Sequence, residues 1–367
     1  MVILDNDMRY MENLAAYVTS YYRHRFNLMT FSGSGELTEY IQQKEVKVDI
    51  LLAASDESGV WQEKMESGLL IILANGAPGE MQDGLCRVNR YCGADRLIAE
   101  ILTLYAGSGQ PAEGAGGVRE GRDNKIIVAA SAEGGAGKTS VAIALCSHFS
   151  RVKLKSLYMD FEYLGAGNFI FGGEAEGGLS DIVYTLKARP ERLGLKLEAL
   201  ARAAPGYGFY YYTPPYYPMD IDEIQPAEIE ALVARFRGMG IYDRIIIDTH
   251  CGISVKNKSL MELADDIFII ARCDGPGVNK CMLFLEQIKQ CFGGLASGVY
   301  KRCHVVLNRD AGGAEADEAA AGISGAYAIR VSKIPYCDSV AGGYSPESLC
   351  GISSGFGAAV AEIAHRI

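Results

Sequence analysis

The sequence lacks the long hydrophobic runs, paired cysteines and amino-terminal leader pattern that would indicate a membrane or secreted protein. Its longest apolar run, GLLIILA, is far shorter than the roughly 20 residues that a membrane-spanning helix needs. The ten cysteines include no C-x-x-C pair, so free thiols are expected rather than a metal site or a disulfide framework. The stretch MVILDNDMRYMENL has no basic segment followed by an apolar core. The sequence therefore predicts a cytoplasmic protein.

Positive charge is also scarce. The formal net charge is −10, which disfavours binding of nucleic acid through cationic neutralisation of phosphates, so no nucleic-acid partner is expected. With 49% hydrophobic and 22% charged residues, the composition is that of an ordinary globular protein. Its 367 residues favour two domains over one.

The boundary between the two domains is predicted from composition. Residues 106–123, AGSGQPAEGAGGVREGRD, have no periodic apolar face and are typical of a flexible linker. Residues 1–105 and 124–367 then form the first and second domains. In the first, apolar strand patterns such as MVILD and VDILLAA alternate with amphipathic helix patterns, which predicts a parallel sheet with helices on both faces.

The first domain resembles a response-regulator receiver domain, but an essential residue is missing. In LDND, Asp5 and Asp7 match the acidic residues that hold Mg²⁺ in receivers. The phosphoacceptor position, at the end of the third strand, falls on Ala54, although a shifted register would place Asp56 there. The lysine that follows the fifth strand is replaced by Arg90. The resemblance implies a receiver-like, flavodoxin-like fold that serves as a docking or dimerising module.

The second domain opens with a phosphate-binding pattern. The strand KIIVAA leads into SAEGGAGKTS and then into an apolar helix. Glycines allow the loop backbone to approach a phosphate closely, and the following helix directs its positive dipole end at the anion. Lys138 is predicted to reach the β- and γ-phosphates, and the Thr139 hydroxyl to bind Mg²⁺. The predicted loop contacts are Gly134, Gly135, Ala136, Gly137, Lys138, Thr139 and Ser140.

Further candidate residues lie at the ends of later apolar strands. The strand in YDRIIIDTHCG ends at Asp248, the Walker B position, which typically holds Mg²⁺ through water, and Gly252 follows it. Asp160 and Glu162 end the strand in SLYMDFE, so both are predicted near the Mg²⁺ and the attacking water. The predicted catalytic residues are Lys138, Asp160, Glu162 and Asp248, and the predicted metal-binding residues are Thr139, Asp160 and Asp248.

The nucleotide base is expected near two later segments. In CHVVLNRD, Asn308 ends a strand and suits an adenine edge. In SKIPYCD, Pro335 and Tyr336 are predicted to lie in a loop beside the base.

These motifs occur in the order found in the MinD/ParA group of deviant Walker ATPases, and the resemblance covers residues 124–367. It implies a P-loop NTPase with a doubly wound sheet that binds ATP or ADP with Mg²⁺ and forms a homodimer. An atypical receiver joined to such an ATPase resembles the TadZ/CpaE family. That resemblance implies a localisation and assembly factor for a Flp-type (Tad) pilus or a related secretion machinery. Recruitment to a pole or membrane would then occur only through partners.

One residue departs from the MinD/ParA pattern at the mouth of the loop. The family loop begins with a lysine that crosses to the partner subunit's phosphates, and here that position is Glu133. The protein then hydrolyses ATP slowly or not at all, or Lys256 or Lys258 substitutes, or the dimer uses another face and leaves Glu133 in water. Glu162, in place of the family's aspartate, also predicts weak hydrolysis.

The sequence is compatible with two other functions. The first is a cycling positioning ATPase of the ParA/MinD kind; Glu133 and the absence of a basic amphipathic tail in GFGAAVAEIAHRI count against it. The second is a signalling protein whose first domain receives a phosphoryl group, which Ala54 disfavours. The tyrosine-rich run GYGFYYYTPPYYP contains no lysine or arginine, so a strand and a proline-fixed loop that pack at a sheet edge or in a protein contact are expected rather than base stacking.

Overall fold

The chain divides into two compact units, each with its own sheet. The first comprises Met1–Gly117 and Pro190–Leu200, and the second comprises Val118–Arg189 and Ala201–Ile367. The computed structural model describes residues 1–22, 26–44, 47–54, 61, 68–74, 86–108, 124–163, 165–172, 177–215, 217–341, 343, 345–351 and 354–367. Most of the predicted linker, and Asp56, lie outside these residues.

Both units contain strands and helices. The strands are β1 (Val2–Leu4), β2 (Met29–Phe31), β3 (Ile50–Ala54), β4 (Leu69–Ala74), β5 (Cys86–Asn89), β6 (Lys125–Ala130), β7 (Ser156–Phe161), β8 (Arg202–Ala203), β9 (Tyr210–Tyr211), β10 (Arg244–Thr249), β11 (Asp266–Arg272), β12 (Cys303–Asp310) and β13 (Arg330–Pro335). The described helices are α1 (Met8–Tyr21), α2 (Ser34–Lys44), α3 (Ala94–Gly107), α4 (Lys138–Arg151), α5 (Gly167–Phe171), α6 (Leu179–Ala188), α7 (Leu193–Leu200), α8 (Pro218–Asp222), α9 (Pro226–Met239), α10 (Val255–Leu263), α11 (Gly275–Phe292), α12 (Ala296–Arg302), α13 (Ala314–Tyr327), α14 (Asp338–Ala341), α15 (Pro346–Cys350) and α16 (Gly355–Ala364). The predicted α/β fold class is confirmed.

The first unit contains a five-stranded parallel sheet with the order β2-β1-β3-β4-β5. Helix α1 begins after Asp7, whose carboxylate caps the helix by accepting from the Tyr10 N–H. The apolar face of α3 joins α1 and the buried strands in one core. Helix α7, which the sequence placed in the second domain, contributes Leu195 and Ala199 to this core.

Asp5 and Asp7, the acids that follow β1, are paired with a cation. The Arg90 guanidinium lies 3.2 Å from Asp5 Oδ2 and 3.5 Å from Asp7 Oδ2. Ala54, the last residue of β3, is buried. The end of β3 therefore carries a methyl group, and the two aspartates that follow β1 are paired with the arginine that follows β5.

The second unit contains an eight-stranded sheet with the order β13-β12-β11-β6-β10-β7-β9-β8. All neighbouring strands are parallel except β8 and β9, which are antiparallel. The chain passes from β6 to β7 on one side of β6, whereas β11 lies on its other side. In such a sheet, a ligand-binding crevice forms at the carboxyl end of the strand where the order reverses. The loop after β6 lies at this point.

The tyrosine-rich segment packs at the edge of this sheet, as predicted. Tyr210 and Tyr211 form β9 between β7 and β8. The rings of Tyr207, Phe209 and Tyr211 are buried around Phe171, at centroid distances of 4.6–5.5 Å. The segment therefore stabilises the sheet edge through aromatic packing.

The carboxyl-terminal helix is also part of the second core. Phe356, Val360 and Ile363 of α16 are buried in the same cluster as the apolar residues of α4. Among the described residues, no helix combines the length and apolarity needed to cross a bilayer.

Candidate functional site

The loop between β6 and α4 requires glycine at two positions. Gly135 and Gly137 have φ angles of 73° and 92°, in the left-handed region that side chains rarely adopt. A Cβ at position 137 would also lie 2.2 Å from Asn308 Nδ2. Backbone strain and crowding therefore both exclude larger residues at Gly137, which directly precedes the helix.

Lys138 is held by two carboxylates at the start of α4. Its ammonium donates to Asp248 Oδ1 at 2.9 Å and also pairs with Glu162 Oε1. Burial lowers the pKa of Lys138, but the charges and hydrogen bonds of Asp248 and Glu162 outweigh this effect and raise it above its usual value. Lys138 is therefore a fixed cation at the loop.

Asp248 connects the loop to the sheet. This residue is fully buried near the end of β10, and its Oδ2 accepts from the Thr139 hydroxyl at 2.7 Å and the Tyr158 hydroxyl at 3.0 Å. Burial raises the pKa of Tyr158 well above its usual value, so the phenol remains a donor. The sequence prediction did not include Tyr158. The available signal was its position two residues before Asp160, on the same face of β7.

Asp160, near the end of β7, and Glu162, the residue after the strand, differ in environment. Asp160 is 1% exposed; its Oδ1 accepts from the Glu162 N–H at 3.1 Å, whereas its Oδ2 has no hydrogen-bond partner among the described residues. Burial, and then the charge of Asp248, raise the pKa of Asp160 to about 7. The same two causes raise the pKa of Glu162, against the opposing effect of Lys138. An unpaired buried carboxylate oxygen is costly unless a proton or a cation satisfies it.

The oxygen atoms of Thr139, Asp160 and Asp248 are suitable ligands for Mg²⁺. The ion prefers oxygen ligands and usually retains several waters together with substrate phosphates. In the part of the chain that the structure describes, no three His, Cys, Asp or Glu side chains form a metal cluster by themselves. The Asp160, Asp248 and Thr139 oxygens fit an ion that shares its coordination with a phosphate and water.

The predicted base-side residues line the same cavity as the loop. The cavity has a volume of about 580 Å³, and its lining includes Lys138, Thr139, Asn308, Pro335 and Tyr336. The Asn308 amide donates to Ala136 O at 2.8 Å and accepts from the Arg309 N–H at 3.0 Å. Asn308 therefore fixes the loop backbone by a hydrogen bond. Its second Nδ2 N–H and the second lone pair of its Oδ1 can bind another partner.

Glu133 is neither in water nor unpaired. Its side chain is 8% exposed, with Oε1 lying 3.2 Å from Arg272 Nε and Oε2 lying 2.7 Å from Lys280 Nζ. The expectation that Glu133 lies in water is therefore wrong, whereas the use of another face by the dimer stays a prediction.

The two lysines considered as substitutes are engaged elsewhere. Lys256 is buried and donates to Asp222 Oδ1 and Ile221 O, both at 2.8 Å. Lys258 lies 3.6 Å from Glu262 on its own helix. The cations that compensate Glu133 are Arg272 and Lys280, which the sequence prediction missed because they lie far along the chain.

The segment after Asp248 contacts both the loop and Tyr163, which follows Glu162. Gly252 has a φ of 87° and donates to Ser131 O at 2.9 Å. The His250 ring stacks on Tyr163 with a centroid distance of 4.8 Å. The Asn257 side-chain amide of α10 donates to His250 O at 2.9 Å and to Gly252 O at 2.7 Å, so hydrogen bonds also connect this segment to α10.

Comparisons with known proteins bear on the fold of the second unit. No family model matches the chain, and no curated protein matches it. Among solved structures, a ParA family ATPase from Chlorobium tepidum has 18% identity and a TM-score of 0.55, covering 67% of this chain and 99% of its own. McdA from Cyanothece, in complex with ATP, has 20% identity and a TM-score of 0.55, covering 67% and 96%. MinD from Pyrococcus horikoshii, a septum site-determining protein in complex with Mg-ADP, has 18% identity and a TM-score of 0.50, covering 66% and 95%.

These proteins are matched over nearly their whole length, whereas about a third of this chain lies outside the match. At this level of identity the similarity shows the fold. The chain thus contains a P-loop NTPase fold of the ParA/MinD type, with the predicted loop and acids assembled at the carboxyl edge of its parallel sheet.

Proposed function

We propose that this protein is a Mg²⁺–ATP-binding positioning ATPase of the ParA/MinD type, whose bound nucleotide controls its assembly with a second copy and with partners. One observation carries the proposal. Lys138 and Thr139, the first two residues of α4, both bond to the buried Asp248 beside a loop that requires glycine. This arrangement suits a phosphate with its metal ion. The ATP and Mg-ADP complexes of similarly folded proteins also support the proposal.

Each residue of the site is assigned to a part of the nucleotide, to the metal ion or to a water. Lys138 would exchange a carboxylate partner for a phosphate, and the Thr139 hydroxyl and the Asp160 and Asp248 carboxylates would hold the metal ion. When bound, Mg²⁺ neutralises charge on the phosphoryl group. Glu162, released from Lys138, is then available to orient a water. Asn308, Pro335 and Tyr336 bind the base side of the nucleotide.

Calorimetric titration with Mg-ATP and Mg-ADP tests the proposal. Lys138→Ala should weaken nucleotide binding about 10- to 100-fold, the effect of one charge-assisted hydrogen bond. Lys301→Ala, at an exposed position of α12, is the matched control and should bind as the wild type does. Wild-type protein that binds neither nucleotide, or equal binding by Lys138→Ala, would contradict the proposal.

Assembly and turnover are measured on the same samples. Light scattering should give a homodimer with Mg-ATP and a smaller mass with Mg-ADP. Steady phosphate release that disappears in Glu162→Ala supports a cycling ATPase. Tight ATP binding without turnover supports the scaffold form, in which the nucleotide is a structural ligand.

A second candidate concerns the partners. We propose that the assembly served is a Flp-type pilus or a related secretion machinery, to which the protein is recruited at a pole or a membrane. The combination of the two units supports this, since Ala54 and the Arg90 cluster suit a docking module better than a phosphorylated receiver. Deletion of the gene in the source organism should remove surface pili. Normal pili in the deletion strain would exclude this role.

A further inference from the structure

Glu133 is the centre of an ion cluster that joins the glycine-rich loop to two other elements. Arg272 is the last residue of β11, and Lys280 lies in the second turn of α11. Each carboxylate oxygen of Glu133 has one cationic neighbour, Arg272 Nε at 3.2 Å and Lys280 Nζ at 2.7 Å. Asp274 Oδ2 lies 3.1 Å from the same Arg272 nitrogen. The cluster thus contains two acids and two bases.

The charge of this cluster matters because Glu133 lines the same cavity as Lys138 and Thr139. An uncompensated carboxylate there would repel a polyphosphate. With both bases present, the cluster carries no net charge. Loss of Lys280 alone would leave it negative at the mouth of the site.

Lys280 is suited to this control because its other contacts are few. Its side chain is 52% exposed, and the pair with Glu133 is its one recorded hydrogen bond among the described residues. Arg272, in contrast, is divided between Glu133 and Asp274. Removal of the Lys280 ammonium therefore changes the charge on Glu133 with little other disturbance.

We propose that Lys280 is a positioning residue for the nucleotide: by pairing with Glu133, it makes the acidic mouth of the loop neutral and allows a triphosphate to bind. The proposal rests on the nucleotide-binding function proposed above. It places the cation that balances the loop on α11 of the same chain. The effect should be larger for ATP than for ADP, because ATP carries more negative charge.

A double-mutant cycle tests this inference. The proteins are the wild type, Glu133→Gln, Lys280→Ala and the double variant, each titrated with Mg-ATP and Mg-ADP by calorimetry. Lys280→Ala should weaken ATP binding about tenfold and ADP binding less. In the Glu133→Gln background the same change should have almost no effect, because no carboxylate is left to compensate. Lys280→Arg should retain wild-type affinity.

Controls separate this role from a structural one and from failure of the function itself. Lys289→Ala removes an exposed lysine of the same helix and should bind as the wild type does. Melting temperatures without nucleotide show whether Lys280→Ala merely unfolds the site, in which case ATP and ADP binding fall together. Equal losses in both backgrounds, or unchanged ATP affinity in Lys280→Ala, would overturn the inference while leaving nucleotide binding intact. Wild-type protein that binds no nucleotide would remove the proposed function and this inference with it.

Discussion

Lys138 is neutralised by the protein's own acids. Its ammonium contacts both Asp248 and Glu162, and these two carboxylates differ in how firmly the protein holds them. Asp248 is fully buried and also fixed by Thr139 and Tyr158, whereas the Glu162 side chain is 31% exposed. Glu162 is thus the partner that a phosphate can replace, and it competes with the ligand.

Glu162→Gln should therefore tighten ATP binding. The change removes a negative charge that competes for Lys138 and repels phosphate, so we expect a gain of about three- to tenfold. Because burial and Asp248 raise the pKa of Glu162, the wild-type carboxyl is partly neutral at low pH. The gain should then be larger at the higher of two pH values, where the wild-type carboxyl is charged, than at the lower, where it has taken up a proton. Calorimetric titration at the two pH values measures it.

The matched control is Glu286→Gln, at a half-exposed position of α11. It should leave the affinity unchanged at both pH values. Weaker ATP binding by Glu162→Gln would mean that the carboxylate supports the ligand instead of competing with it.

At the residue scale, the proximity of side chains can be predicted where they belong to short sequence motifs, while their chemical roles stay predictions. The loop from Gly134 to Ser140 and the acids at strand ends follow from short motifs, and the structure places these residues around one cavity or in contact with its lining. The partners of Glu133 lie 139 and 147 positions later in the chain, so no short motif contains them. A sequence shows that an acid is present, but its charge state and pairing depend on which elements the fold brings beside it.

At the level of elements, three adjacent strands enclose a histidine. His304 of β12 stacks on Phe268 of β11, with centroids 5.3 Å apart, and its Nε2 lies 2.9 Å from Ser332 Oγ of β13. Its Nδ1 has no hydrogen-bond partner among the described residues. Burial, and then the charges of Arg330 and Arg366, lower the pKa of His304 to about 4. The neutral ring is therefore the form that the folded strands accommodate.

This histidine should make the second unit less stable in acid. Between its usual pKa and about 4, the unfolded chain binds a proton that the folded protein does not, so the free energy of unfolding falls as pH decreases. The contribution is at most about 3 kcal/mol, since each pKa unit corresponds to about 1.4 kcal/mol. Denaturant unfolding from about pH 7 to pH 4 should show a smaller loss in His304→Gln than in the wild type. If the free energy of unfolding fell equally with pH in the two proteins, His304 would not be the source of the acid sensitivity.

Elements were predicted well where apolar runs are long and poorly where they are short. The runs MVIL, ILLAA, KIIVAA and RIIID form β1, β3, β6 and β10, because four or more buried residues give a clear strand signal. The two-residue strand β8 and the short helices α5, α14 and α15 carry no comparable periodicity. Tertiary packing, rather than the local sequence preference, determines where such short elements form.

At the level of the whole molecule, the two units are not two consecutive pieces of sequence. The segment Pro190–Leu200 follows α6 of the second unit, belongs to the first unit, and is followed by β8 of the second. Composition predicts a boundary at a linker, but it contains no signal for a helix that returns to an earlier unit. The apolar face of α7 looks like that of any buried helix, and only the fold shows which core it joins.

The packing of α7 against α3 makes the first unit dependent on a distant part of the chain. Leu195 is 3% exposed and shares one core with Leu97, Ile101 and other residues of α3. Leu195→Ala should destabilise this unit by about 2–5 kcal/mol, the usual cost of truncating a buried leucine. Hydrogen exchange of the amides of α3 should accelerate, because local opening exposes them more often. Exchange in α16, whose core lies in the second unit, should not change.

Leu283→Ala is the matched control, because that leucine is 66% exposed on α11. It should leave the exchange of α3 unchanged. If Leu195→Ala also left α3 as protected as in the wild type, then α7 would not support the first unit, and residues 1–108 would be expected to fold alone with undiminished stability. If α3 is loosened as expected, a fragment that ends at the linker lacks part of its own core. Studies of the first unit then need residues 190–200 to be present, as they are in the full chain.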